Sequence, residues 1–126
     1  MKILAFTDFH GDEKIIAKIL KKIKKEDPDI LVCPGDFTVF GKNLNKIMSN
    51  FLVGKPFVFI PGNHEDGEKS VYLFAKNPEA LLVHQTGIVV RGILFVGSGG
   101  GIYGRNEPTL DISKRLLAQK IKNFKK

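Results

Sequence analysis

Three short polar clusters hold the side chains best suited to chemistry: Asp8 and His10 in "TDFHGD", Asp36 in "PGD", and Asn63, His64 and Glu65 in "PGNHEDGE". Carboxylate, imidazole and amide oxygen without thiolate form a donor set that favours manganese, iron or zinc over calcium. Asp8 and His10, separated by one residue, can be turned toward one point. Asp36 offers two oxygens, enough to bridge a pair of ions, and Asn63 adds a neutral one. His64 can carry a proton near neutral pH. Gly35 and Gly62 let the backbone turn sharply beside the ions without a clashing side chain. Each cluster alone is an ordinary turn signal between apolar runs. The weight comes from finding all three in order at similar intervals, each closing an apolar run.

Those runs are the elements that must position the clusters. "KILAFT" (Lys2 to Thr7) reads as a strand, and a helix follows from Asp12, whose carboxylate can cap it, to about Lys25. "DPDILVCPGD" is a buried strand entered through Pro28 and ended by Pro34-Gly35; a helix over about Asn43 to Leu52 then leads to the strand in "PFVFIPGN". Strand, helix, strand, helix, strand predicts a parallel α/β sheet, in which the carboxyl ends of neighbouring strands lie side by side and build ligand sites. Asp8, His10, Asp36, Asn63 and His64 are thereby expected to converge. A short helix is expected in "EKSVYLFAK". "GIVVRGILFVGSGGG" reads as a β-hairpin, Gly87 to Val90 and Ile93 to Val96, turned at Arg91-Gly92. A last helix begins near Asp111, capped by Asp111 or Ser113.

At 126 residues, 43% hydrophobic and 26% charged, the chain is one globular domain rather than a disordered segment. It shows no membrane-length apolar run and no signal-peptide pattern, and a single cysteine, Cys33, so the expected location is the cytoplasm. The net charge of +7 raises the prospect of an anionic partner. Most of it lies in "KIIAKILKKIKK" and "SKRLLAQKIKNFKK", where lysines surround one apolar helical face and no series of aromatics interleaves for base stacking. That is a solvated face, so nucleic acid is not favoured.

In this order, "DFH" (Asp8 to His10), "GDFTV" (Gly35 to Val39) and "GNHE" (Gly62 to Glu65) resemble the signature D-x-H, G-D-x-x-D, G-N-H-[DE] of the calcineurin-like metallophosphoesterase family. The resemblance covers nearly the whole chain, the hairpin and the "GSGGG" loop included. It implies an αββα sandwich and a hydrolase of phosphate mono- or diesters using two divalent metals (Mn²⁺, Fe or Zn²⁺). By carry-over Asp8 and His10 hold the first metal, Asp36 bridges, Asn63 binds the second, and His64 donates a proton to the leaving oxygen or a hydrogen bond to the phosphoryl group. Glu65 is the conjectured support for His64. Two such ions roughly 3.5–4 Å apart neutralise phosphate.

The chain departs from that signature at three places. Val39 stands where the second acid belongs, and Phe40 replaces the phosphate-gripping arginine of protein phosphatases, which points to a diesterase or small-ester activity instead. The family completes its metal shell with a histidine in a later strand and a G-H-x-H, whereas only His10, His64 and His84 occur here. His84 reads as a strand or turn residue. The second metal site is thus incomplete, and the sequence reads as the N-terminal part of such a domain, truncated before the C-terminal metal-ligand strands. One sheet edge and the apolar face of the last helix are expected to lie uncovered, which predicts a homo-oligomer or a complementing C-terminal half. The alternative is a non-catalytic basic nucleic-acid-binding or assembly module on a degenerate phosphoesterase fold. "GGGIYG" (Gly99 to Gly104) satisfies G-x-G-x-x-G, but no helix opens at once and Pro108 interrupts, so a dinucleotide site is not expected.

Overall fold

Helix α1 (Glu13–Glu26) shows how directly the sequence writes its elements. Asp12 accepts from the amides of Lys14 and Ile15 at 2.9 and 3.0 Å. Glu13 at the start and Lys24 and Lys25 at the end complement the helix dipole. Asp27 turns left-handed at the C-cap, and Pro28 prevents continuation. Ile16 and Ile23 are buried, each contributing about 1.5–3 kcal/mol, which fixes the face and turns the lysines outward.

The computed structural model describes residues 1–100 and 110–124, the side chains of 110–112 excepted. Strands β1 (Ile3–Ala5), β2 (Ile30–Cys33), β3 (Phe57–Phe59) and β4 (Ala80–Leu82) form a parallel sheet whose spatial order is their order in the chain. Helix α1, α2 (Leu44–Ser49) and α3 (Lys69–Phe74) make the crossovers, and the antiparallel pair β5 (Thr86–Val90) and β6 (Ile93–Gly97) precedes α4 (Leu110–Phe124).

Alternation along β2 and β3 divides the core. Leu31, Cys33, Phe57 and Phe59 pack with Ile16, Ile23, Leu44, Met48, Val71 and Phe74, so all three crossover helices cover one sheet face. Ile30 and Val58 point the other way, against Val90, Ile88 and Phe95 of the hairpin. This double burial is why "ILVC" and "FVF" are continuously apolar. Helix α4 packs on β5 and β6, completing the layers helix, sheet, hairpin, helix. The expected parallel core, hairpin and αββα layering are all present.

Three details differ from the sequence reading. Strand β4 is not among the expected elements; three residues carry no period, and only pairing with β3 (Phe57 opposite Ala80) identifies it. Helix α2 stops at Ser49, three residues early, because the Asn50 side chain donates to the Lys46 and Ile47 carbonyls and closes the last turn. Helix α4 already runs at Leu110, so Ser113 lies within it and meets the Ser98 hydroxyl at 3.1 Å instead of capping. The Asp111 side chain and most of the Gly99 to Gly104 stretch lie outside the described residues. Strand β1 pairs on one side only, with Ile3 42% exposed, and Ile121 and Phe124 on α4 are also exposed. Among the described residues no helix is long and apolar enough to cross a membrane.

Candidate active site

The parallel register pairs Ala5 with Val32 and Cys33 with Phe59, so the chain leaves β1, β2 and β3 at one end of the sheet. Each exit loop is pinned from inside. Phe9 follows Asp8 into the core, Phe37 follows Asp36, and Glu65 follows His64; all three are 1% exposed or less. Pinning the intervening residue leaves Asp8, His10, Asp36, Asn63 and His64 partly or fully accessible at the rim. Asp8, His10 and Asp36 have left-handed backbones, φ 57°, 46° and 53°. Strain of this kind persists where the surrounding contacts hold it.

Those contacts tie the loops together. The Thr7 hydroxyl donates to the Gly35 carbonyl at 2.8 Å, and the His10 amide to the Asp36 carbonyl at 3.2 Å. The His64 amide donates to Asp36 Oδ1 at 3.3 Å. Gly35 and Gly62 lie back to back: a Cβ on Gly35, itself at φ +107°, would stand 2.5 Å from the Gly62 nitrogen, and one on Gly62 would collide with the Asp36 carboxylate. The sequence assigned both glycines to sharp turns; close backbone approach is the stronger reason for them.

Two observations test whether these residues suit a divalent cation. The ring nitrogen Nδ1 of His10 lies 3.1 Å from the Thr38 carbonyl oxygen. A carbonyl only accepts, so in the neutral ring Nδ1 carries the hydrogen and Nε2 keeps a free lone pair, the form that ligates metal. The Asn63 amide faces Asp36, one of its terminal atoms 3.0 Å from Oδ1 and 3.2 Å from Oδ2. With nitrogen in that place the amide donates to the carboxylate. With oxygen there, three oxygens face one another, an arrangement that a shared cation would relieve. The donor types, carboxylate, amide and an imidazole with Nε2 free, are those a divalent cation takes. Among the described residues no group of three or more His, Cys, Asp or Glu forms a preassembled metal cage.

Glu65 does something other than support His64. Its Oε1 accepts from the Phe37 amide at 2.6 Å and the Thr38 amide at 3.2 Å, bracing the loop after Asp36. Its Oε2 is buried without a hydrogen-bond partner, as is His64 Nδ1. Burial is the main cause that pushes the Glu65 carboxyl up to about 7, with the Asp36 and Asp8 charges adding to it and the two amides opposing. His64 contacts two other rings, tilted 4.7 Å from His10 and stacked 4.6 Å from Phe40. An unpaired Nδ1 is less unfavourable as a bare acceptor than as N–H, which leaves the His64 proton on Nε2.

Thr38 escaped the sequence reading, although it is fully buried and used three ways. Its amide goes to Glu65, its carbonyl to His10, and its hydroxyl accepts from the Gly41 amide at 2.9 Å. Only its place inside "GDFTV" could have flagged it. His84 sits in a bridge to Gly97, as a strand or turn residue; its Nδ1 accepts from the Gly99 amide at 2.8 Å, and burial lowers its pKa against the opposing Asp66 charge. Burial also pushes the Cys33 thiol up to about 12.

A layered α/β sandwich with acidic, amide and imidazole side chains at the carboxyl edge of its parallel sheet places a candidate site where ligands of such sheets bind. The family model described as calcineurin-like phosphoesterase matches residues 1–122, and the chain belongs to that family. Its members generally use divalent metal ions. The crystal structure of TT1561 of Thermus thermophilus superposes with a TM-score of 0.72 at 19% identity, over 96% of this chain and 62% of that one. A second solved structure gives 0.66 at 21% identity, over 79% and 52%. The chain thus spans about six tenths and half of those two proteins, and the likeness is one of fold. No curated protein matches the chain.

Proposed function

We propose that this chain hydrolyses phosphate mono- or diesters at a dinuclear centre, with Asp8, His10 and Asp36 holding one divalent cation and Asp36 and Asn63 the other. The observation that carries the reading is the His10 ring, whose Nδ1 is held by the Thr38 carbonyl so that Nε2 stays free at the rim it shares with Asp8, Asp36 and Asn63. Bound there, manganese, iron or zinc would set positive charge against the phosphoryl oxygens and acidify water. The protein's own part is positional. Thr38 holds His10 in its ligating tautomer, Glu65 holds the loop that presents Asp36, and His64 keeps a proton on Nε2 for the departing ester oxygen.

Two ligands are too few for the second ion, so its shell is proposed to be completed from outside this sequence, by a second copy or a complementing segment. Phe40, in place of an arginine, favours diesters or small esters over phosphoproteins.

The test is hydrolysis of bis-p-nitrophenyl phosphate with Mn²⁺, alongside metal analysis of the purified chain. Mn²⁺-dependent turnover that disappears in Asp36→Ala is the expected result. Metal uptake no greater than that of an Asp8→Ala, Asp36→Ala control would refute the reading. The absence of a preassembled cage among the described residues, with the +7 charge, supports the rival of a non-catalytic nucleic-acid-binding or assembly module. Binding to nucleic acid that collapses with modest salt, regardless of metal, would favour that rival.

A further inference from the structure

Phe40 is a large apolar ring that the fold holds at the rim of the site with one face open. It is 70% exposed, and its backbone is left-handed at φ 49°, a conformation a bulky side chain rarely adopts. The loop that carries it is braced at both ends: Glu65 binds the Phe37 and Thr38 amides, the Thr38 hydroxyl binds the Gly41 amide, and the Lys42 amide donates to the Val39 carbonyl. The inner face of the ring lies on His64, 4.6 Å between centroids and 22° from parallel, and His64 in turn lies 4.7 Å from His10. His64 therefore contacts both a candidate ligand ring, tilted at 59°, and an exposed aromatic platform stacked on it. A flat group on the outer face of Phe40 would extend the Phe40–His64 stack.

We propose that Phe40 is a specificity-determining platform, and that the esters this site takes carry a flat aromatic ring, a nucleobase or an aryl group, that stacks on its outer face. This rests on the phosphoesterase reading of the same site. Stacking on a pre-positioned ring suits any flat π-system and rewards no hydrogen-bond pattern, so it selects a class of ester, not one molecule.

The test is equilibrium binding, by calorimetry in the presence of Mn²⁺, of adenosine 5′-monophosphate, phenyl phosphate, ribose 5-phosphate and inorganic phosphate to the wild type, Phe40→Ala and Phe40→Tyr. The wild type is expected to prefer the ring-bearing esters over ribose 5-phosphate by about tenfold, the lower part of the range for stacking on an aromatic side chain. Phe40→Ala should bring that ratio close to one, and Phe40→Tyr should keep it. Preference for the adenosine ester alone, or the phenyl ester alone, would identify the ring. Inorganic phosphate binding without ring preference in the wild type, or a preference that survives Phe40→Ala, overturns the platform while leaving the phosphoesterase reading intact. If inorganic phosphate does not bind at all, that reading fails, and the platform with it.

Discussion

A buried carboxyl beside two more carboxylates should leave a clear mark on stability against pH. Glu65 has a pKa near 7 in the fold against an ordinary 4.5. The folded value is the higher one, so ionisation opposes folding. The group costs nothing below pH 4.5, weakens the fold progressively between 4.5 and 7, and exerts its full effect above 7. That full effect is about 3 kcal/mol, from roughly 1.4 kcal/mol per pH unit of displacement. Glu65→Gln removes the titration yet keeps an oxygen to accept from the Phe37 and Thr38 amides. Its new NH₂ meets the partnerless setting of Oε2, an offset that does not vary with pH. Urea unfolding, followed by circular dichroism with EDTA present, should show the variant gaining about 3 kcal/mol on the wild type between pH 4 and pH 8. A difference flat to within about 1 kcal/mol would mean that Glu65 is ionised at low cost, and the account of its burial would fail.

Two further substitutions probe the neighbouring backbone and core. Gly35→Ala places a methyl 2.5 Å from the Gly62 nitrogen on a φ of +107°, so a loss of at least about 2 kcal/mol and of Mn²⁺ uptake is expected in denaturation and metal analysis. Wild-type stability would show that the two loops can part without harm. Cys33, fully buried with its thiol pushed up to about 12, should resist iodoacetamide at pH 8 until urea unfolds the chain. Rapid labelling of native protein would contradict its place in the core.

How much was legible in the sequence divides along a physical line. The clusters at Asp8, Asp36 and His64 could be brought together because a parallel sheet stacks strand ends whatever the details of the loops. The anchors Phe9 and Phe37 were visible as apolar letters inside polar motifs, though their inward packing became a finding only with the structure. What stayed hidden works through backbone atoms or short-range geometry. Thr38 serves the site through its amide and carbonyl, which every residue but proline possesses, so its letter carries no signature. Glu65 sits beside His64 in sequence, yet its carboxylate turns to the Phe37 and Thr38 amides, because unpaired buried amides are a stronger demand than an imidazole that can leave a lone pair bare. The Phe40 stack depends on one left-handed residue.

The strand order carries a consequence for how the site comes into being. The contacts that join it, His10 to Thr38, Phe37 to Glu65 and Asp36 to His64, each span 28 residues. Each therefore closes a loop of the same moderate length, with nearly the same closure entropy, and none waits on a distant segment. Every residue assigned to the site lies between Asp8 and Glu65, ahead of the hairpin that covers the far face of the sheet. Assembly can then proceed one strand–helix unit at a time, each docking on the one before it, although every parallel pairing is non-local and so slower to form than a helical contact. Substitutions in β5 and β6 should accordingly speed unfolding far more than they slow formation of the site.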